Sequence, residues 1–290
     1  SGGTKSVIAG YHWFEDWGRD CLISLPGLTL ITGKFEDAKQ ILLTLSSFCD
    51  FGLIPNRLPD RPQEKPIYNS VDATLWYINA TWQYLKYTGD FLFVKEKLWE
   101  TLTSGMEHYI KGTQFDIRLD SDGLILHGPK LTWMDTNATP RDGKAVEIQA
   151  LWYNALKIMQ QLAAKFGYPE EAERYSELAE KTMRSFSEKF WRSDEACLFD
   201  VISVDGSGDP SFRPNQLIAS SLDFKMLDRR REVMILENVL KRLWSGHGLR
   251  TLPRDDPRYC GVYSGDRMRR DRAYHNGTVW PWLTGPFITA

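Results

Sequence analysis

Apolar residues recur along most of this chain at the three-and-four spacing of helix faces rather than the alternation of strands. Glu36–Cys49 carries Ala38, Ile41, Leu42, Leu45 and Phe48 on one face, and Asp90–Lys111 carries Val94, Leu98, Leu102, Met106 and Tyr109. Asp20–Ile31 and Asp72–Tyr87 are predicted as helices that open on an aspartate placed to cap them. The clearest pair is Ala145–Phe166, striped by Leu151, Trp152, Ala155, Leu156, Met159, Leu162 and Ala163, followed by Pro169–Trp191. Gly167 between them suits a helix C-cap, and Pro169 a first helical position. Asn215–Leu222, Arg229–Trp244 and Thr278–Ala290 complete the helices, and short strands are expected within Leu198–Val204 and Ile117–Leu126.

Short links around Gly33, Gly89, Gly167 and Leu222–Asp228 alternate with long ones at about 50–71, 113–144, 192–214 and 246–277. Long loops inside a compact domain are usually functional. The unusual residues fall in these loops or where they enter a helix: Pro55-Asn-Arg57, Trp133-Met-Asp135, Arg213-Pro-Asn-Gln216 and Tyr274-His-Asn-Gly277. Hairpins tied tightly at one end and loosely at the other predict an all-α (α/α)6 toroid, with its long loops on one rim around a single pocket. A helical solenoid gives the same alternation, but the chain lacks a fixed-period repeat. A double ring needs about twelve helices and nine are visible, five after long loops (inner) and four after short ones (outer). The chain stops on the apolar Phe287-Ile-Thr-Ala290, and Ser1-Gly-Gly-Thr-Lys5 reads as a cut point or linker. The expectation is one domain over 1–290, incomplete at both ends, from a longer protein.

Composition narrows the partners. A formal net charge of −2 argues against nucleic acid or an anionic membrane surface. The basic run Arg267-Met-Arg-Arg-Asp-Arg272 is interrupted by Asp271 and preceded by Asp266, so a solvated or salt-bridged loop is expected there. Cys21, Cys49, Cys197 and Cys260 have no metal-like spacing and read as reduced thiols of a cytoplasmic protein, and no apolar run is long enough to span a bilayer. Three Asn-x-Thr tripeptides, at Asn79, Asn137 and Asn276, are taken as chance. No phosphate loop, dinucleotide fingerprint, nucleophile elbow or zinc motif is present, and the five histidines are scattered, so no cofactor or metal is expected.

What remains is aromatic and carboxylate chemistry. Gly10-Tyr-His-Trp-Phe-Glu-Asp-Trp-Gly-Arg-Asp20 packs four aromatic rings, three carboxylates and one arginine into eleven residues, in a chain with 11 tryptophans. Rings beside fixed charges suit a ligand that is apolar on one face and hydroxylated at its edge, as a sugar is; a core aromatic cluster closed by a helix cap is the alternative. Arg19-Asp20 can hold adjacent sugar hydroxyls, since one donates and the other accepts, or can form a surface ion pair. Asp135 suits a proton donor, because the aromatic wall of Trp133 would raise a carboxyl pKa by desolvation; a turn aspartate before Thr136-Asn137 is the alternative. Asn56, Arg57, Asn69, Asp72, Gln216, His275 and Asn276 offer hydrogen-bonding groups on the same rim, each of which could equally stabilise its own loop. Lys144 and Glu147 open an inner helix, where they pair with each other or Glu147 contacts ligand.

These residues resemble a known family. Ala9–Asp20, Ile54-Pro-Asn-Arg57, Asn69-Ser-Val-Asp72, Thr132-Trp-Met-Asp135, Glu147-Ile-Gln-Ala-Leu-Trp-Tyr153, Arg213-Pro-Asn-Gln216 and Tyr274-His-Asn-Gly-Thr-Val-Trp280 follow, in order and from end to end, the glucosidase domain of glycogen debranching enzymes. The resemblance implies an (α/α)6 domain that hydrolyses the α-1,6-linked glucose left at a trimmed glycogen branch, with inversion, so that the partner is glycogen or a branched α-glucan oligosaccharide. Asp135 matches the general acid, and Trp13, Trp17, Arg19 and Asp20 match the terminal-glucose pocket; Asp16, Trp133 and Trp280 are further expected substrate contacts. Cys21 stands where many relatives have threonine. The family's general base is a glutamate downstream of the Tyr-His-Asn-Gly-Thr motif. None follows that motif here, so these 290 residues alone are expected to release little or no glucose. Glu147 and Asp72 could be raised as substitutes but do not match the base. A glucoamylase-like exo-α-1,4-glucosidase and a non-catalytic glucan-binding module are the competing readings.

Overall fold

The computed structural model describes residues 5–59, 61 and 63–290, and it is helix-rich as the periodicity predicts. The helices are α1 (Gly18–Leu25), α2 (Phe35–Ser47), α3 (Ala73–Thr88), α4 (Phe91–Phe93), α5 (Trp99–Lys111), α6 (Val146–Phe166), α7 (Pro169–Phe190), α8 (Ile218–Ser221), α9 (Arg229–Leu243), α10 (Arg267–Tyr274) and α11 (Thr284–Thr289). Pro26–Leu30 prolongs α1 as a π turn, Val94–Leu98 joins α4 to α5 in the same way, and 3-10 turns at Pro214–Leu217 and Pro281–Leu283 lead into α8 and α11. All nine predicted helices are therefore present. Of the segment read as a linker, Ser1–Thr4 lie outside the described residues, while Lys5 pairs with Asp37 of α2.

α10 corrects the expectation of a loop at Arg267–Arg272. Its eight residues bury only Ala273, so it carries no apolar stripe for periodicity to find. Its start is set instead by Asp266, whose carboxylate accepts from Arg269 N at 2.9 Å. The expected caps at Asp20 and Asp72 also fail. Trp17 holds the cap position of α1 without a side-chain bond. At α3 the Asp72 carboxylate faces elsewhere, and Ser70 Oγ accepts from Ala73 N at 3.1 Å. Gly167 has φ +89°, as a left-handed C-cap requires, and Pro169 begins α7.

Burial follows the connection pattern. α3 and α6 come after long loops, and residues 73–81 and 146–156 of them are buried on every side. α2, α5, α7 and α9 come after short links and bury single stripes, as α7 does with Tyr175, Ala179, Thr182, Phe186 and Phe190.

The chain forms two compact units, Ser1–Leu119 with Ala155–Tyr175, and Asp120–Asn154 with Ser176–Ala290. In the first, α1, α2 and α3 pack together, Tyr77 of α3 donates to Leu42 O at 3.1 Å, and Tyr109 of α5 donates to Val71 O at 2.8 Å. Strands Ile8–Gly10, Phe14–Trp17 and Arg57–Leu58 form an antiparallel sheet in that order, with Ile8 opposite Asp16 and Trp17 opposite Arg57. In the second, Lys144–Ala145 lies antiparallel to Val201–Ile202, which pairs with Gly208–Asp209. Leu249–Arg250 pairs with Val279–Trp280, and Trp191–Arg192 with Cys197–Leu198. The strands expected within Leu198–Val204 and Ile117–Leu126 are thus short pieces at Cys197–Leu198, Val201–Ile202, Arg118–Leu119 and Ile125–Leu126.

Gly18 shows how tightly the first sheet is bound to α1. Its N–H donates to Asn56 O at 2.9 Å, and a Cβ placed there would meet Pro55 O at 2.1 Å. Gly27 has nothing within 4 Å of the same position. Gly18→Ala is expected to lower stability by about 1–3 kcal/mol through forced backbone movement. Gly27→Ala should be neutral or stabilising by up to ~1 kcal/mol. Urea unfolding midpoints of the two variants check this contrast; equal midpoints would contradict it.

Candidate active site

The candidate residues divide between the two units. In the first, the antiparallel sheet presents Trp13, Asp16 and Trp17 next to Arg57, and a cavity of about 490 Å³ opens there. Trp13, Trp17, Arg57 and Asn69 line it, together with His12 and Glu15 of the Gly10–Asp20 cluster and with Arg61, which was not singled out in the sequence. Trp13 is 79% exposed and its ring lies 4.6 Å from His12, so this is an open aromatic surface rather than a core cluster. Arg57 is fixed at the rim by ion pairs to Glu15 and, at 2.9 Å, to Glu64. Asp16 lies opposite Leu58 within the sheet.

Arg19 and Asp72, expected to contact ligand separately, are partners of each other. Arg19 Nε and Nη2 donate to the two Asp72 oxygens at 2.6 and 2.7 Å, and Nη2 also reaches Ser70 Oγ at 3.2 Å. Both residues are buried, and two parallel N–H donors on one carboxylate form the strong, directional version of an ion pair. The pair ties the start of α1 to the start of α3. Asp20, one residue on, is exposed as a residue, but protein crowds its carboxyl; lost hydration raises its pKa, with the Arg19 charge opposing. Asn56 is buried, and among the described residues its Oδ1 has no hydrogen-bond partner.

In the second unit a buried cluster stands behind Asp135. Arg141 Nε and Nη2 donate to Asp200 at 2.7 and 2.9 Å, while Nη1 and Nη2 grip Glu147, the latter at 2.7 Å. Arg213 Nε lies 3.5 Å from Asp200, which makes the four charges neutral as a set. Burial alone would lower the Arg141 pKa, but the facing charges of Asp200 and Glu147 hold it above its ordinary value. Arg213 is pushed down, by burial first, against the pull of Asp200. Arg141 also has φ +47°, a left-handed conformation that costs a side-chain-bearing residue roughly 1–2 kcal/mol, and the paired carboxylates hold it there.

The cluster reaches the Asp135 segment by two routes. Arg141 Nη1 donates to Thr132 Oγ1 at 3.1 Å, and that oxygen accepts from Met134 N at 3.2 Å. Asp200 accepts from Asn215 Nδ2 at 2.8 Å, and Asn215 Oδ1 accepts from Trp133 Nε1 at 2.8 Å. The Trp133 ring is walled by His275, Trp280 and Trp282, with centroids at 5.3, 5.7 and 5.1 Å, all edge-to-face. Residues 131–134 are buried and Asp135 is exposed, so the carboxylate stands at the end of a tightly held segment.

Several candidate residues are engaged by other parts of the protein. Glu147 does not pair with Lys144: it belongs to Arg141, while Lys144 Nζ reaches Asp120 and Asp122 at 2.6 Å each. Gln216 accepts from Leu198 N and donates to Arg213 O. Asn276 accepts from Arg213 Nη2 at 3.0 Å, and His275 Nδ1 lies 3.2 Å from Thr139 Oγ1. Trp280 donates from its indole nitrogen to Tyr274 O at 2.9 Å. Arg141 and Asp200 were not among the sequence candidates, and Asn215 entered only within the Arg213-Pro-Asn-Gln216 motif. The available signal was Glu147 in the first turn of an otherwise apolar helix, since a buried carboxylate demands a cation.

Comparison with known proteins bears on family and fold. The family model described as amylo-alpha-1,6-glucosidase matches residues 1–290. A glycogen debranching enzyme of Saccharomyces cerevisiae is 25% identical over an alignment covering 96% of this chain and 24% of the yeast protein. The chain thus spans about a quarter of the length of that relative. Among solved structures, a GH78 family rhamnosidase of Bacillus sp. GL1 aligns with a TM-score of 0.62 and 16% identity, covering 93% of this chain and 31% of its own. A rhamnosidase from Klebsiella oxytoca with rhamnose bound aligns at 0.57 and 15%, covering 78% and 41%. At those identities the likeness is one of fold.

Two outcomes test the electrostatics. Arg141→Met leaves two buried carboxylates facing the single remaining cation, Arg213, and is expected to destabilise by about 3–5 kcal/mol, measured by urea unfolding. A loss under about 1 kcal/mol would mean the cluster is solvated. Lys144 holds the Asp120 pKa low chiefly through its hydrogen bond; at Asp122 burial pushes upward but Lys144 and Lys189 outweigh it. Carboxyls depressed in the folded state contribute stability above their unfolded pKa, about 4, and lose it as pH falls. The stability gap between wild type and Lys144→Met should therefore narrow below pH ~4. A gap unchanged from pH 7 to 3 would contradict this.

Proposed function

The chain belongs to the amylo-α-1,6-glucosidase family, and we propose that it is the sugar-recognising and proton-donating part of a glycoside hydrolase that removes α-1,6-linked glucose from trimmed branches of glycogen, with inversion. On this reading residues 1–290 form a single (α/α)6 domain. The observation that carries the proposal is Asp135, an exposed carboxylate on a buried segment cross-tied to a neutral charge cluster and walled by aromatic rings.

Each unit has its own part. In the first, the cavity offers the Trp13 and Trp17 rings to the apolar face of a glucose unit, and Arg57, Asn69, Glu15 and His12 to its hydroxyl edge. Its volume of about 490 Å³ falls within the range of small-molecule sites. The Arg19–Asp72 pair fixes the junction of α1 and α3, close in sequence to the lining residues Trp17 and Asn69. In the second, Asp135 donates its proton to the departing glycosidic oxygen as the bond to the anomeric carbon breaks. Inversion further requires a base that takes a proton from water on the opposite face, with the two carboxyls about 6.5–9.5 Å apart. That base is neither Glu147 nor Asp72. Each is almost fully buried and bound to an arginine, which leaves no place for an attacking water. The family description supports the substrate class and the α-1,6 linkage, and inversion belongs to the proposal.

Asp135→Asn, made in the full-length protein, is expected to lower kcat on an α-1,6-branched limit dextrin by roughly 10²–10⁴-fold while leaving oligosaccharide binding near wild type. Activity within twofold of wild type would remove Asp135 from this role. Rates on α-1,6-linked against α-1,4-linked substrates decide the linkage.

A further inference from the structure

We propose that Asn215 is a positioning residue for the proton donor, and that it acts by linking the fixed charge of Asp200 to the indole of Trp133. The proposal rests on the reading of Asp135 as the donor. Its own support is independent of that reading and lies in the chemistry of three groups.

Asp200 is almost fully buried and ion-paired, so its carboxylate can only accept hydrogen bonds. An indole N–H can only donate. Any residue that bridges the two must donate on one side and accept on the other. Asn215, wholly buried, does so: its Nδ2 faces Asp200 Oδ1 at 2.8 Å and its Oδ1 faces Trp133 Nε1 at 2.8 Å. The orientation of the amide is forced, because turning it over would set an oxygen against a carboxylate and an N–H₂ against an N–H. An aspartate here would repel Asp200, and a leucine would leave two buried polar groups unsatisfied.

This bridge is the polar hold on the Trp133 ring, whose other neighbours are the edges and faces of His275, Trp280 and Trp282. Those contacts are compatible with small slides of the indole; a directed 2.8 Å hydrogen bond to an anchored amide is not. Trp133 is two residues before Asp135, and the other hold on the segment, Arg141 to Thr132, ends on the same Asp200 and Glu147 cluster. Asp200 is thus common to both tethers, and Asn215 carries its effect across to the ring. Gln216, the neighbour that looked the better candidate in sequence, bonds only to backbone at Leu198 and Arg213.

The test is a double-mutant cycle in the full-length protein. Trp133→Phe removes the N–H and keeps an aromatic ring, Asn215→Ala removes the bridge, and the double variant removes both. On an α-1,6-branched limit dextrin each single change is expected to lower kcat by about tenfold or more with KM within about twofold, because placement rather than binding is disturbed. The double variant should be no worse than the more damaged single one. Multiplicative losses would overturn the proposal, since Asn215 would then act elsewhere. A second readout does not need activity: the Trp133 indole N–H resonance, assigned from its loss in Trp133→Phe, should shift and broaden in Asn215→Ala. An unmoved resonance also overturns it. If Asn215→Ala does not fold, Asn215→Ser, which keeps a hydroxyl near Asp200 but withdraws the acceptor from the indole, takes its place in both measurements. An active Asp135→Asn protein with a shifted resonance would retire the donor reading and leave the tether. An inactive one with multiplicative losses would retire the tether alone.

Discussion

The Asp200 carboxylate is the point on which the second unit depends. It accepts from Arg141 and Asn215 and lies beside Arg213, while its backbone oxygen takes the first N–H of α6 at 3.0 Å. A lone carboxylate in such a place would be expelled or protonated, because burial of an unpaired charge is far more expensive than any single hydrogen bond can repay. Two arginines against two carboxylates remove that penalty only as a complete set. Arg141 is further held in a left-handed backbone conformation, with Gly143 at φ +116° two residues on, where a Cβ would meet Ile202 O at 2.5 Å. Strain and charge therefore converge on the same short stretch, from which both the start of α6 and the Thr132–Asp135 segment are set.

The first unit uses the same device at smaller scale. Arg19 and Asp72 lie at the beginnings of two helices, and their bidentate pair fixes how those helices meet. Ser70 completes it by donating to Asp72 and taking the first N–H of α3. In each unit a buried guanidinium, Arg19 in the first turn of α1 and Arg141 in the loop before α6, organises its surroundings, with exposed aromatic or carboxylate groups nearby in sequence. On the proposed reading, recognition and proton donation are presented from rigid supports, which favours pre-arranged over induced geometry.

The helices were legible because apolar spacing survives translation into packing. All nine predicted segments contain helix, and α3 and α6, which follow long links, are buried on every side along their first turns, while α2, α5, α7 and α9, which follow short ones, are striped. α10 was hidden because it buries one side chain, and spacing arguments need a stripe. The site was legible as residue types but not as partnerships. Arg19, Asp72, Glu147, Gln216 and Asn276 were recognisable as polar groups needing partners, and the structure gives Arg19 and Asp72 each other, Gln216 backbone, and Glu147 and Asn276 the buried arginines Arg141 and Arg213. Arg141 and Asp200 were invisible because they lie 59 residues apart, each in an unremarkable loop. Nothing in a linear pattern joins a cation to an anion across that distance.

The neutrality of the four-charge cluster has a consequence for how such a chain can change. Positions 141, 147, 200 and 213 form one accounting unit, since altering a single member leaves a buried charge without its complement. Divergence at these sites has to proceed by concerted pairs or through an apolar replacement of the whole group. For the engineer the same fact sets a rule of grafting. A loop carrying Asp135 cannot be exchanged between relatives by itself, because the frame that holds it is completed by residues more than sixty positions downstream. The smallest transplantable piece is discontinuous: the segment around Thr132–Glu147 together with the strand and turn from Asp200 to Asn215.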